Sequence, residues 1–254
     1  MVIHDMVQRY IKLQRERSSW EREHCGKLAV SEIGGCPRKA MLRLHGVEPS
    51  NPFDDFVLRL MWSGQMAEAK LEAVLREGYG DTLLAQQRVE NEHFIGTVDF
   101  MTDIHVIEHK ETGQNRFKYK DLPYSFHCLQ VLAYEHLVEG YEMDALLYYQ
   151  NQANWAEFRV WQEDVVQWEG YIDGKFKSGN VDTTLEEEME ALVVWYKRNE
   201  IPERYETPFE KQYHCTRMYS TNAYPGCSYY NFCFGDTQYG GQKKLRIPKE
   251  LRKS

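Results

Sequence analysis

The sequence predicts an α/β protein in which helices flank a central mixed β-sheet, with a helical N-terminal part and a cysteine-rich C-terminal segment. Apolar residues in the first third recur at the spacing of a helix face. From residue 83 to residue 111 they alternate with polar residues, as they do in strands. After Pro202 this periodicity disappears, and Tyr, Cys, Gly and Pro become dense. These changes divide the chain into a helical segment at 1–52, a core at 53–200 and a cysteine-rich segment at 201–254.

Three helices are predicted before the sheet. The stretch from Met6 to Arg17 has helical spacing, and the helix from Pro37 to Leu44 has proline in its first turn, where a missing backbone N–H is tolerated. The third helix is longer and runs from about Phe53 to Leu75, with stop signals at Gly78 and Gly80.

A meander of three strands follows the long helix. The alternating segments are Leu83–Val89, Phe94–Met101 and His105–Glu111. The polar stretch from Thr112 to Asp121 indicates a loop, and Leu122 to Val138 has the apolar spacing of another helix.

The remainder of the core is predicted to contain two strands and two helices. The strands are Ala145–Tyr149 and Glu157–Trp161, and the helices lie at about Glu163–Phe176 and Leu185–Arg198. Strands alternating with helices in this way favour a sheet that is covered by helices.

The charge balance bears on nucleic-acid binding. The 254 residues carry 31 Lys and Arg against 39 Asp and Glu, a net charge of −8, which ordinarily disfavours phosphate partners. A nuclease site is itself built of carboxylates, however, and basic residues can gather locally. They do so in two clusters, Arg9, Lys12, Arg15, Arg17 and Arg22 near the start and Lys243, Lys244, Arg246, Lys249, Arg252 and Lys253 near the end.

Nothing in the sequence indicates a membrane protein. No apolar run reaches the roughly 20 residues that cross a bilayer, and the segment from Met1 to Tyr10 has no apolar signal core. We therefore expect a cytoplasmic protein without a membrane partner.

The motif with the most chemical content lies in the predicted meander. Glu108 and Lys110 share one face of a strand because side chains alternate along it, and an adjoining antiparallel strand can bring Asp99 beside them. Gly96, three residues before Asp99, allows another group to approach the strand closely. An acidic pair with a lysine is therefore expected on a single surface.

Such a surface suits phosphodiester hydrolysis. Mg²⁺ prefers hard oxygen ligands from a few carboxylates together with substrate phosphate. Glu68, on the long helix, is available as a third acid. On the helix after the meander, Gln130 and Tyr134 share a face at i and i+4, where an amide and a phenol can bind a phosphate or orient the lysine.

In their order along the chain, these motifs resemble those of the RecB-like branch of the PD-(D/E)XK nucleases, which includes CRISPR-associated and phage four-cysteine exonucleases. The family shows Gly with a helical acid or His, then Gly-x-x-Asp, Glu-x-Lys and Gln-x-x-x-Tyr. Here these motifs are Gly64 with Glu68, Gly96 with Asp99, Glu108 with Lys110, and Gln130 with Tyr134. Many relatives carry His where this chain has Glu68.

The resemblance implies a restriction-endonuclease-like core at 53–200 and a bound Mg²⁺ or Mn²⁺. It also implies that Glu68, Asp99, Glu108 and the backbone carbonyl of His109 bind the metal, that Asp99, Glu108 and Lys110 are catalytic, and that Gln130 and Tyr134 contact DNA.

The cysteines indicate a second metal site. Without an export signal, a disulfide framework is improbable for the six thiols, and thiolates are soft ligands suited to iron–sulfur clusters or zinc. Cys36 precedes the core, whereas Cys215, Cys227 and Cys233 follow it. Cys128, within a predicted helix, is interpreted as a small buried hydrophobic residue.

In cluster-containing relatives one cysteine precedes the nuclease core and three follow it, so the resemblance implies a [4Fe-4S] cluster on Cys36, Cys215, Cys227 and Cys233. Cys25 is an alternative to Cys215, and His24 or His214 would instead complete a structural zinc site. Arg38 lies two residues after Cys36, and it is predicted to contact DNA phosphate.

Two functions are consistent with these observations. The first is a Mg²⁺- or Mn²⁺-dependent DNA exonuclease acting on single-stranded ends in recombination, repair, phage replication or spacer acquisition, with recombination, replication or CRISPR adaptation proteins as possible partners. The second is a non-catalytic DNA-binding or assembly subunit that keeps the fold and the cluster. A binding subunit gains nothing from carboxylates that face phosphate, which favours the enzyme.

Overall fold

The computed structural model describes residues 26–51, 55–112, 122–138, 143–151, 153–206 and 227–235, the strand residues 216–219, 222–225 and 245–246, and residues 6, 9 and 13. The helices are α1 (Pro37–Leu44), α2 (Asp55–Tyr79), α3 (Ser125–Leu137), α4 (Leu185–Arg198) and α5 (Tyr230–Phe234). The strands are β1 (Leu28–Ala29), β2 (Leu84–Glu90), β3 (Phe94–Met101), β4 (His105–Glu111), β5 (Asp144–Gln150), β6 (Trp155–Gln162), β7 (Val166–Ile172), β8 (Lys175–Val181), β9 (Thr216–Tyr219), β10 (Asn222–Pro225) and β11 (Leu245–Arg246).

An eight-stranded mixed sheet forms the centre of the α/β fold. β2 pairs along most of one edge of β3. The other edge of β3 is shared, because β1 pairs with its start and β4 with its end. β4 and β5 run parallel, and β5, β6, β7 and β8 continue the sheet as antiparallel neighbours. The crossover that joins the parallel strands β4 and β5 contains α3, because parallel neighbours need a long connection.

Helices cover both faces of β4. Val106 belongs to the main core with α3, whereas its neighbour Ile107 belongs to a smaller cluster with Leu71 and Leu75 of α2. Because successive side chains of a strand point to opposite faces, α3 and α2 lie on opposite sides of the sheet. The predicted sheet with flanking helices is confirmed at this level.

The second half of the sheet differs from the expectation in one respect. The predicted helix at Glu163–Phe176 is wrong, because this segment forms β7, a turn and the start of β8. Asp173 and Gly174 occupy the turn with φ of 46° and 78°, the left-handed pair that a tight hairpin requires. The Asp-Gly signal therefore outweighed the helical spacing of the apolar residues.

The C-terminal segment docks onto the N-terminal part of the described chain. Asn51 donates from its backbone N to Ser228 O at 2.7 Å, and its Oδ1 accepts from Asn231 N at 2.6 Å. Tyr229 adds a hydrogen bond from its hydroxyl to Val47 O at 3.0 Å. β9, β10 and β11 form a separate three-stranded sheet within this segment.

Several sequence predictions concern residues outside the described ranges. These are most of the Met6–Arg17 helix, residues 113–121 of the predicted loop, Cys25, Cys215, His24, His214 and nearly all of both basic clusters. Within the described residues, no helix has the length and apolar character needed to cross a membrane.

Gly96 lies at a close approach of β3, α3 and the chain near β1. A Cβ at this position would lie 2.5 Å from Tyr134 Cε1 and 3.0 Å from Val30 Cβ. Gly96→Ala should therefore lower the free energy of unfolding by about 1–3 kcal/mol through overpacking, measured by urea denaturation.

Gly78→Ala is the matched control, because no atom lies within 4 Å of a Cβ at that helical position. We expect this variant to be unchanged or more stable by up to about 1 kcal/mol, since alanine favours a helix. Equal stability of Gly96→Ala and the wild type would contradict the close contact with Tyr134.

Candidate functional site

The centre of the candidate site is a gap where β3 and β4 part. Their register pairs Phe100 with Ile107 and Met101 with Val106, and the pairing stops there. Beyond Phe100 and Ile107, a side chain takes the place of a backbone acceptor. His109 N donates to Asp99 Oδ2 at 2.9 Å. The parted strands thus expose a carboxylate between them instead of a closed ladder.

Glu108, on the other side of this gap, is 2% exposed. Its Oε1 accepts hydrogen bonds from Lys110 Nζ and, at 2.8 Å, from Gln130 Nε2. Gln130 also contacts the Tyr134 hydroxyl at 3.3 Å. Glu108 Oε2 is buried near the Asp99 carboxyl group and accepts no hydrogen bond from an amide, hydroxyl or cationic group of the described chain. One oxygen of this carboxylate is therefore fixed in place, and the other is available to a ligand.

Glu68 reaches the gap from α2. Gln86 Nε2 donates to Glu68 Oε1 and lies 3.4 Å from Asp99 Oδ1, so the amide bridges the two acids. The helix is tied to the sheet nearby, where Gln150 Nε2 donates to Ala67 O at 3.2 Å. The structure therefore brings Glu68, Asp99, Glu108 and Lys110 into one region.

Burial and mutual repulsion perturb the acids of this region. Burial, with the charge of Asp99, raises the pKa of Glu68 to about 7 and that of Glu108 to about 8. Burial likewise raises the pKa of Asp99, although the charge of Lys110 opposes the rise. Burial by itself would lower the pKa of the Lys110 ammonium group. The neighbouring carboxylates have the larger effect, so this pKa is raised.

The donor set suits a hard divalent cation, although the side chains do not enclose one. No group of three His, Cys, Asp or Glu side chains among the described residues is arranged to hold an ion. The unpartnered Glu108 Oε2 and the neighbouring acids supply the oxygen ligands that Mg²⁺ or Mn²⁺ prefers. A cation would also offset the cost of ionising these buried acids, which raises their pKa values.

The other residues predicted for this site have defined positions. Gln130 and Tyr134 are buried, 6% and 4% exposed, so their observed contacts suit the orientation of Glu108. DNA contact by these two side chains remains a prediction. The imidazole of His109 stacks on Tyr148 with ring centroids 6.1 Å apart, while its backbone N–H contacts Asp99.

Two residues near the site were not identified from the sequence. Gln86 bridges acids from two elements, and no local motif marks such a position. His127 shares a helix face with Gln130 and Tyr134 through spacings of three and four residues, a signal that was present in the sequence. Its Nδ1 lies 2.9 Å from the Tyr149 hydroxyl.

A second region is a small pocket beside α1 and α5. Cys36, Cys227 and Cys233 line it together with Tyr205 and Lys39. Burial raises the pKa of the Cys36 and Cys227 thiols, and the nearby Cys233 raises both further. Three of the four predicted cluster cysteines therefore line one pocket, whereas Cys215 lies outside the described residues.

The chemistry of this pocket suits a soft metal. Thiolates bind zinc or iron–sulfur clusters, and the charge of Lys39 offsets part of the rise that burial produces in the pKa of Cys227. The three thiols could contribute ligands to either group, although among the described residues they are not arranged to hold an ion by themselves.

Arg38 belongs to the cysteine pocket and not to the acidic gap. Its Nη1 donates to Pro202 O, and its guanidinium lies 5.6 Å from the centre of the Phe232 ring. These contacts join α1 to the C-terminal segment. The predicted contact of Arg38 with DNA stays a prediction.

Comparisons with known proteins leave the family open. No family model matches the chain, and no curated protein matches it. Among solved structures, the chain is similar to a crystal structure of SSO0001, with a TM-score of 0.46 and 13% identity over 77% of this chain and 87% of that one. A similarity of this size says nothing about activity.

The raised pKa of Glu108 predicts how stability depends on pH without added metal. The folded state keeps a proton on Glu108 up to about pH 8, whereas the unfolded chain releases it near pH 4.5. In EDTA, the free energy of unfolding should therefore fall as pH rises from 7 to 8, by up to about 1.4 kcal/mol per pH unit for this proton.

Glu108→Gln should remove most of this decrease, since an amide does not titrate. Glu157→Gln, on an exposed position of β6, is the control and should keep the wild-type slope. Both slopes are measured by urea denaturation at several pH values. A wild-type stability that rises over this interval would disprove the assignment.

Proposed function

We propose that this protein is a metal-dependent DNA exonuclease of the PD-(D/E)XK type, RecB-like branch, with a restriction-endonuclease-like core, acting on single-stranded ends in the cytoplasm. The observation that carries the proposal is the meeting of Glu68, Asp99 and Glu108 with the buried Lys110 at the gap between β3 and β4. Their order along the chain supplies the family assignment.

Each residue of the gap has a role in this reaction. A bound Mg²⁺ or Mn²⁺ supplies Lewis acidity and lowers the pKa of water. Asp99 and Glu108 would hold that ion, with Glu68 from α2 and the carbonyl of His109 as further ligands. Lys110 offers a positive charge to the phosphate as negative charge develops there. Gln130 keeps one Glu108 oxygen in place, so the other can bind the metal.

A non-catalytic DNA-binding or assembly subunit is the alternative. Burying an ammonium group among acids costs desolvation energy, which a binding surface has no need to spend. Carboxylates also repel the phosphates that such a subunit must hold. The acidic gap therefore favours the enzyme over the binding subunit.

The test is the degradation of a labelled single-stranded oligonucleotide in Mg²⁺ or Mn²⁺. Glu108→Gln should lower kcat by at least about 100-fold, because it removes charge from the ligand with the free oxygen. Lys110→Met should reduce kcat by a similar factor. EDTA should abolish the wild-type activity.

Glu157→Gln provides the control, since it removes an exposed strand carboxylate away from the gap. Its activity should equal that of the wild type. Circular DNA, which has no ends, separates exonuclease from endonuclease activity. Equal degradation by wild type and Glu108→Gln would exclude hydrolysis at this site and leave the binding subunit as the better proposal.

We further propose a metal group on Cys36, Cys227 and Cys233, completed by Cys215 or Cys25. The motif order supports a [4Fe-4S] cluster, and structural zinc is the alternative because thiolates bind both. Either group would connect residues before and after the core, next to the hydrogen bonds of Asn51. Metal binding would then contribute directly to folding stability.

Anaerobic purification followed by metal analysis distinguishes the two groups. A cluster predicts iron, sulfide and broad absorbance in the visible range, all lost in Cys36→Ser and Cys233→Ser. Both variants should also unfold at lower temperature. Cys128→Ser is the control, because Cys128 is buried in the main core away from this pocket, and it should retain the wild-type metal content.

Zinc in place of iron would decide for the alternative. Protein that contains neither metal, and whose Cys36→Ser variant is as stable as the wild type, would remove the proposed metal group altogether.

A further inference from the structure

His127 occupies the lysine end of the candidate active site. On the shared face of α3, Gln130 contacts Glu108, and His127 lies one turn nearer the helix start. Its partner Tyr149 is paired in register with Lys110 across β4 and β5. The helix face therefore follows β4 from Glu108 to Lys110.

The hydrogen bonds of Tyr149 determine which nitrogen of His127 carries the proton. The buried Tyr149 hydroxyl accepts from Tyr124 N at 3.1 Å and lies 2.9 Å from His127 Nδ1. In the described part of the chain its own proton has no other acceptor, so the hydroxyl donates to Nδ1. The imidazole then carries its proton on Nε2.

The imidazole is thereby held as a donor beside a positive charge. Burial, with the charge of Lys110, keeps the pKa of His127 well below its usual value, so the ring remains neutral. The side chain retains partial exposure, and the described residues provide no acceptor for Nε2–H. Lys110, whose ammonium group donates to Glu108, and His127, whose Nε2–H has no acceptor among the described residues, thus occupy the same end of the site.

We propose that His127 is a phosphate-binding residue, which donates from Nε2–H to a phosphate oxygen of the DNA strand beside Lys110. This inference rests on the proposed nuclease function. Tyr149 acts through His127 and is a positioning residue, because it fixes the tautomer.

Two substitutions separate this role from a structural one. A glutamine amide can place a donor near the position of Nε2, whereas an asparagine amide lies near Nδ1 and can still contact Tyr149. His127→Asn should weaken binding of a labelled single-stranded oligonucleotide about tenfold, the loss expected for one hydrogen bond to a charged group. His127→Gln should stay within about twofold of the wild type, a difference too small to count as a lost bond.

Binding is measured by fluorescence anisotropy in EDTA, which prevents cleavage, and KM and kcat are then measured in Mg²⁺. The defect of His127→Asn should appear in KM more than in kcat. His136→Asn is the control, since His136 is exposed on the same helix; its binding should be unchanged. Tyr149→Phe keeps the imidazole but removes the hydroxyl that donates to Nδ1, so the ring proton is no longer held on Nε2. Binding should therefore weaken less than in His127→Asn.

Tight binding by His127→Asn and weak binding by His127→Gln would show that only the Tyr149 contact matters, and would overturn the proposal. Equal binding by both variants, whether at the wild-type level or reduced, would also overturn it. If both variants fail to fold, a folded Tyr149→Phe variant decides the question. Binding at the wild-type level would overturn the proposal that Tyr149 holds His127 as an Nε2–H donor to DNA, and weakened binding would support it.

The same measurements separate failure of this inference from failure of the proposed function. Wild-type protein that binds DNA in EDTA without cleaving it in Mg²⁺ would disprove the nuclease activity, while the anisotropy comparison still decides the role of His127. Wild-type protein that neither binds nor cleaves DNA would overturn both proposals.

Discussion

The structure depends on the parting of β3 from β4 after only two paired positions. A ladder that continued would bring Asp99 and Glu108 side by side on a closed sheet, with their backbone groups satisfied by each other. Instead, the Asp99 carboxylate accepts the His109 N–H, so the backbone remains hydrogen-bonded while the strands separate. The gap thus exists because a side chain takes the place of a strand partner. The same replacement places a charged oxygen beside Glu108.

Keeping acids and an ammonium group in this gap requires support from both faces of the sheet. On one face, Gln130 of α3 fixes a Glu108 oxygen, and Tyr134 packs over Gly96. On the other, α2 contributes Glu68 and is held by Gln150. The charge of Lys110 reduces the cost of burying the acids, yet the pKa values of Glu68 and Glu108 remain raised. A divalent cation would complete this charge balance, which is the physical basis of the proposed hydrolysis.

The cysteine pocket joins distant parts of the chain by two kinds of contact. Hydrogen bonds from Asn51 and Tyr229 already hold the C-terminal segment against the residues after α1. Arg38 adds its contacts with Pro202 and the Phe232 ring. These interactions bring Cys36 close to Cys227 and Cys233. A metal group there would strengthen an attachment that the polypeptide itself forms, and the acidic gap between β3 and β4 lies in a different part of the fold.

The sequence by itself determined the meander, the long helix and the acidic motif, because side-chain alternation and helical spacing are local properties. It predicted that Asp99, Glu108 and Lys110 would share a surface, and the structure brings them together. The apolar spacing at 163–176 fits both a helix and a hairpin, so the predicted helix there is wrong. The left-handed backbone angles of Asp173 and Gly174 form the turn between β7 and β8. Only the tertiary structure decided that Gln86 bridges Glu68 to Asp99, that Gln130 is buried, and that Tyr149 fixes His127. Those relations join residues that are far apart in sequence, and they depend on how helices pack over strands, which no local pattern encodes.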